Sequence, residues 1–381
     1  MAAIIRSFCN VLATLTVSVA LGACAATPPD DIEDLSQTND ALLEQAWHSE
    51  AQVASDKAYA KVLSFFAKET VRGSFVSRIA AGDREIEISY AIARAQTPEE
   101  KGAIVVVNGR SETFEQYAEL AYDLTRRGYT LYMLDHRGQG HSGRMIDYDK
   151  VGDSHYQKGT VDHFASYVAD LHKFITTVVH PDRKGKPERA LYGLGHSMGG
   201  TVLTLYGMTH PKVLTKIALS SPMHEIEVDL SGLAAIGFWW QLQFHPNDYA
   251  KKGAWTEAPP FAGNALTSSR PRFGAKQAIF EGDRSLRVGG PTYRWVKAAL
   301  DATDRARDEA DRIEVPVLLL RAGDDRVVEA GGQTKVCDRI NAKRPGLCQL
   351  EVLRGSRHES LIEVDAIRTK SLDLIVSFFA K

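Results

Sequence analysis

The sequence predicts an α/β protein: a mostly parallel, eight-stranded sheet with helices on both faces and an inserted cap. Three observations carry that expectation. Continuous apolar runs such as residues 103–107 and 315–320 have the texture of strands buried on both sides. Between such runs lie stretches whose apolar residues recur at helical spacing. Residues 190–204 read as a short strand, one abrupt turn and a helix beginning near Met198.

The elements follow in chain order. Residues 41–72 form a helical segment with Trp47, Tyr59, Val62, Leu63, Phe65 and Phe66 as its apolar positions. Residues 73–94 are two antiparallel strands, because 85–92 alternate cleanly and leave one face wet. Residues 103–107 are a buried parallel strand. Phe114, Tyr117, Leu120, Ala121 and Leu124 mark one face of a helix that Gly128 ends. A strand at 130–135 comes next, then a helix through Phe164, Val168, Leu171, Phe174 and Ile175. The strand at 190–194 and its helix lead to a strand at 216–220. A strand at 315–320, a helix at 330–340, a strand at 349–353 and a helix at 364–379 close the series. The core is therefore 73–221 together with 292–381. Ligands of such sheets sit at the carboxyl ends of the strands, where Ser197 falls.

Residues 222–291 interrupt this alternation and read as a cap over a pocket. Phe238, Trp239 and Trp240 crowd together there with Leu242 and Phe244. Those first three are the candidates for lining an acyl-chain cavity, the other reading being that they pack within the cap itself.

The amino terminus stands apart from the fold. Arg6, an apolar run over 11–21 and small residues before Cys24 make 1–23 a signal peptide of lipoprotein type. The run is too short to span a bilayer as a mature helix, which needs about 20 apolar residues. The residues before Cys24 resemble a bacterial lipobox, which makes Cys24 the lipidated first residue and 24–40 a flexible tether. Ala25, rather than aspartate, after that cysteine favours the outer membrane, facing the periplasm. Ordinary secretion to the periplasm or beyond is the alternative, since Ala23-Cys24-Ala25 is also an A-x-A cleavage site. In an oxidising compartment Cys337 and Cys348, eleven positions apart across Pro345-Gly346, are expected to form a disulfide; two buried free thiols are the other reading.

The turn at 195–199 spells G-x-S-x-G, which places the Ser197 hydroxyl clear of the sheet above a helix amino terminus. A serine nucleophile needs a base, and the base needs an orienting acid, in the chain order Ser, acid, His for this kind of sheet. The strand at 315–320 leads to Asp324 and Asp325, and the strand at 349–353 leads through a turn to His358. Asp325 is the choice over Asp324, because it sits deeper in its loop, ahead of Val327-Val328. The oxyanion is expected on two backbone N–H groups, those of Met198 and Arg110.

Other chemistries fare worse. A net charge of −2 argues against a nucleic-acid partner, which calls for a strongly basic face. Gly138, Gly140 and Gly143 spell G-x-G-x-x-G, yet no helical periodicity follows, so no nucleotide cofactor is expected. No metal is expected either, since H-E-x-x-H is missing and the histidines are scattered.

With these residues assembled, the chain resembles the serine α/β-hydrolases of the monoacylglycerol-lipase type, and most closely their bacterial lysophospholipase branch. The resemblance rests on Asn108-Gly-Arg110, Tyr117–Leu124, Asp135–Gly140 with Ser142-Gly-Arg144, and His196–Gly200. It continues through the stretch from Val288 to Trp295, Arg326-Val-Val328 and His358-Glu359. It implies hydrolysis of the acyl ester of lysophospholipids, with a lipid anchor as the membrane contact. A monoacylglycerol lipase or another carboxylesterase is the alternative, and a non-catalytic lipoprotein on a hydrolase fold is the alternative of another class.

Overall fold

An eight-stranded sheet runs in the order β1-β2-β4-β3-β5-β6-β7-β8. Its strands are β1 (Thr70–Val76), β2 (Glu87–Ala93), β3 (Gly102–Val107), β4 (Tyr129–Leu134), β5 (Leu191–His196), β6 (Lys216–Ser220), β7 (Val317–Ala322) and β8 (Cys348–Leu353). Pairing is antiparallel for β1 with β2 and β2 with β4, and parallel from β4 through β8. The computed structural model describes residues 46–81, 84–185, 189–228 and 231–381, of which 47–381 form one unit. The readings of residues 1–23 and 24–40, Cys24 included, lie outside the described residues.

Every residue of β3 is buried, so both of its faces are covered. Successive side chains of a strand point to opposite sides, and the two layers of core follow from that. Ile104 and Val106 pack with Leu120, Leu124, Leu372 and Phe379 on one face. Ala103, Val105 and Val107 pack with Phe164, Leu171, Val202 and Ala299 on the other. Continuous apolar sequence is what a strand needs when neither face meets water.

Two helices, α1 (Glu50–Val53) and α2 (Asp56–Glu69), occupy the segment expected to be helical over 41–72. Ser49 and Ser55 cap them, each accepting from a backbone N–H in the first turn. The second helix stops at Glu69 because Thr70 already pairs with Ala93 in a seven-residue antiparallel ladder. Cross-strand pairing outweighs local helix propensity there. Strand β7 likewise lies two residues beyond the expected 315–320, because Pro316 has no N–H to give the ladder; its carbonyl accepts from Ile217 at 3.0 Å.

Helices α3 (Ala118–Thr125), α4 (Phe164–Phe174) and α5 (Met198–Thr209) alternate with the central strands. Between β6 and β7 come α6 (Gly232–Phe244), α7 (Arg270–Gly282) and α8 (Tyr293–Glu309). The helices α9 (Ala330–Lys343) and α10 (Asp365–Ala380) complete the layers. Cys337 of α9 and Cys348 at the start of β8 are joined by a disulfide, with their Cα atoms 5.4 Å apart. Helix α7 is tied down by Arg272, whose buried guanidinium meets Glu119 at 3.0 Å and Asp365 at 2.9 Å. Helix α6 instead exposes Leu233, Ile236, Trp240 and Phe244 along one side. Among the described residues no helix is long and apolar enough to cross a membrane.

Candidate active site

Strand β5 ends at His196 and α5 begins at Met198, so Ser197 occupies the whole of the turn between them. Its backbone is held at φ 50° and ψ −120°, a conformation that L-residues rarely adopt. The neighbours make that turn sterically possible. A Cβ on Gly199 would lie 2.0 Å from the Val107 carbonyl oxygen and 2.4 Å from that of Asn108. A Cβ on Gly195 would lie 2.8 Å from the Gly199 oxygen. The elbow is therefore pressed against the end of β3 and the loop that leaves it.

The histidine and the acid arrive on the loops after β8 and β7. His358 Nε2 lies 2.9 Å from Ser197 Oγ. Its Nδ1 lies 2.9 Å from Asp325 Oδ2 and 3.1 Å from Oδ1. Aspartate only accepts, so Nδ1 carries the proton and Nε2 is left to accept from the serine hydroxyl. Asp325 also accepts from the N–H groups of Val327 at 2.8 Å and Val328 at 3.2 Å. Burial pushes its carboxyl up, but the hydrogen bond and charge of His358 and the two N–H groups outweigh that, and the net shift is downward. Asp324 is exposed, and its N–H donates to the Ser356 carbonyl at 2.8 Å. Its role is to shape the loop.

The loop after β3 carries Arg110, and Gly195 is in register with Val107 across the β3–β5 pair. The N–H of Met198, first in its helix, has no intrahelical acceptor. The N–H of Arg110 meets no acceptor among the described residues. Two backbone N–H groups left without an acceptor are what an oxyanion hole requires.

Ser197, His358 and Arg110 open on a cavity of about 1400 Å³ between the sheet and the cap. Phe238 and Trp240 line it; Trp239 does not. Its ring is 47 % exposed and lies 5.8 Å from Lys297 Nζ on α8.

Sequence reasoning did not foresee a buried charged group beside the histidine. Glu112, His196 and Glu359 bring three ligand-type atoms within 4.8 Å of one another. Lys276 of α7 reaches the same spot, 2.5 Å from Glu359 and 4.0 Å from Glu112. An ammonium thus stands where a cation would be needed. Burial opposes its charge, but Glu359 and Glu112 hold the Lys276 pKa above its ordinary value. Glu112 also accepts from Gly109 N–H at 2.5 Å and Tyr117 O–H at 2.7 Å, fixing the loop that carries Arg110. Nothing in spacing joins positions 112, 276 and 359, and only the folded chain reveals the group.

A serine on a strained elbow, backed by histidine and aspartate from the loops of two later strands, defines the α/β-hydrolase class. The chain belongs to the family designated Hydrolase_4 and described as serine aminopeptidase S33, which matches residues 98–365. It is 38% identical to lysophospholipase L2 of Escherichia coli K12 over 305 residues, covering 78% of this chain and 85% of that one. It is 30% identical to a probable lysophospholipase L2 of Haemophilus influenzae, covering 84% of this chain and 95% of that one. In structure it is similar to a soluble variant of the monoglyceride lipase of Saccharomyces cerevisiae, solved with a substrate analogue. That match has a TM-score of 0.62 and 18% identity over 82% of this chain and 96% of the other. The fold is thereby placed among the α/β-hydrolases.

Proposed function

We propose that this protein hydrolyses the acyl ester of lysophospholipids through an acyl-enzyme on Ser197. The observation that carries the reading is the hydrogen-bonded series Ser197, His358, Asp325, whose first two members line a cavity of about 1400 Å³. His358 takes the hydroxyl proton as Ser197 attacks the ester carbonyl, and Asp325 stabilises the imidazolium that forms. The tetrahedral oxyanion is held by the N–H groups of Met198 and Arg110. His358 then hands its proton to the departing glycerol oxygen, and water activated by the same ring releases the fatty acid. The lysophospholipase L2 relatives support this choice of ester. Phe238 and Trp240, among the cavity's lining residues, suit an acyl chain.

The proposal extends to the amino terminus: Cys24 is lipidated and anchors the enzyme at the outer membrane, facing the periplasm. Radiolabelled palmitate incorporated by wild type but not by Cys24→Ala tests that extension.

The activity is tested by comparing lysophosphatidylcholine, monoolein and p-nitrophenyl esters with the purified full chain in detergent. Lysophosphatidylcholine is expected to give the highest kcat/KM. A clear preference for monoolein would replace this reading with a monoacylglycerol lipase, and no turnover of any ester would end it.

A further inference from the structure

Arg110 has a second role available, in its side chain. The side chain is half-buried, with its Nε out of water, and lines the same cavity as Ser197. Of its five N–H bonds, Nη1 gives one to Ser111 Oγ at 2.9 Å. Nη2 gives its two to the carbonyls of Gly289 at 2.9 Å and Gly290 at 2.7 Å. Two remain without an acceptor among the described residues, that of Nε included. The plane is held 5.0 Å over the ring of Trp295. Two of the motifs on which the family resemblance rests, 108–110 and 288–295, therefore meet at this guanidinium.

What the guanidinium lacks is an anion. The fully buried Arg137, Arg272 and Arg368 each meet a carboxylate, from Asp170, Glu119 and Asp123. Arg110 has no ion pair among the described residues, and burial pulls its pKa down to about 10. Carbonyls satisfy hydrogen bonds but leave the charge uncompensated, which is costly away from water. Arg144 and Arg287 also lean on carbonyls, but neither lines the cavity. Lys251 and Lys252 line it too, on backbone packed against the Gly290 whose carbonyl Arg110 meets. Arg326, Glu227 and Glu257 are further charges on the lining, while Glu112 and Glu359 share the one ammonium of Lys276.

We infer that the Arg110 side chain receives the phosphodiester of the substrate and sets a preference for lysophospholipids over uncharged monoacyl esters. The inference rests on the lysophospholipase reading above. The substrate's chemistry supports it: ester and phosphate are carried on one glycerol unit, and the residue expected to hold the ester's oxyanion through its N–H also bears the cation. Lys251 and Lys252 add positive potential at the same wall.

The test uses the full chain as wild type, Arg110→Lys and Arg110→Met. Each is assayed on 1-palmitoyl-lysophosphatidylcholine and on 1-monopalmitoylglycerol. Arg110→Met is expected to lose at least about tenfold more kcat/KM on the phospholipid than on the glyceride, chiefly through KM. Arg110→Lys should recover part of that difference. In wild type, the non-hydrolysable 1-O-hexadecylglycerophosphate should inhibit about ten times more strongly than 1-O-hexadecylglycerol, and Arg110→Met should erase the gap. Equal losses on both substrates, or equal inhibition of wild type by both ethers, would overturn the inference and leave Arg110 a strut for its own N–H. A wild-type enzyme that cleaves the glyceride but not the lysophospholipid would overturn the lysophospholipase reading itself, and the inference with it.

Discussion

The ammonium of Lys276, carried on a helix of the cap, lies 2.5 Å from the carboxylate of Glu359, the residue that follows His358. Both side chains are buried, so the cap is fastened to the loop that positions the base by an ion pair out of water. Removing one member of such a pair leaves the other charged and alone, at a cost of about 3–5 kcal/mol. Lys276→Met is therefore expected to lower the unfolding free energy by about that much and to reduce kcat. Adding Glu359→Gln should restore a large part of the stability. Denaturant titrations of the two variants check this; an unchanged midpoint in Lys276→Met would refute the ion pair.

The serine, histidine and aspartate make a second, sharper expectation. Asp325→Asn leaves the loop its shape but offers Nδ1 of His358 the wrong partner, so kcat should fall about 10⁴-fold. Ser197→Ala should abolish labelling by a fluorophosphonate probe. Asp324→Asn removes an exposed carboxylate that does not reach His358, and kcat should stay within about threefold of wild type. A collapse of activity in Asp324→Asn with little change in Asp325→Asn would reverse the assignment.

What could be foreseen from sequence and what could not divides on a physical line. Ser197 directly follows a strand, and Asp325 and His358 lie on the loops that leave two later ones, so strand order brings them to one end of the sheet. The apolar runs of β3 and β7 carry their own evidence of two-sided burial. Lys276 and Glu112 meet only because an insertion folds back over the sheet, and no local pattern encodes the return path of a cap. Adjacent aromatics carry no signal of which one faces the cavity, and Trp239 lies beside Lys297 instead.

The glycines of the elbow give a third expectation. Gly199→Ala would place a methyl group 2.0 Å from the Val107 carbonyl oxygen, a backbone atom that cannot step aside. Either α5 or the 108–110 loop must shift, so the variant should lose both stability and turnover. Gly237 in α6 has nothing within 4 Å of its added Cβ, and no left-handed backbone. Gly237→Ala should stabilise the protein by roughly 0.5–1 kcal/mol by cutting the entropy lost on folding. Thermal melts with activity assays separate the two; a Gly199→Ala variant as active and stable as wild type would show that the elbow is less tightly packed than its geometry implies.

Acid stability tests the charged group behind the base. Burial alone would raise the Glu112 carboxyl above its ordinary 4.5, but the charges of His196 and Lys276, the Tyr117 hydroxyl and the Gly109 N–H pull it below. A carboxyl whose pKa is lowered by folding stabilises the native state above its unfolded pKa, and that contribution is lost as pH falls through the folded value. Asp325, also shifted down, acts in the same direction over its own range below 3.8. Glu112→Gln keeps the side chain's shape and removes its titration. The stability gap between wild type and Glu112→Gln should thus be widest near neutral pH and narrow as pH drops below 4.5. Urea titrations from about pH 7 to about pH 3 measure it. A gap that stays constant over that span would mean that Glu112 is not held ionised in the folded protein, and that Lys276 serves Glu359 alone.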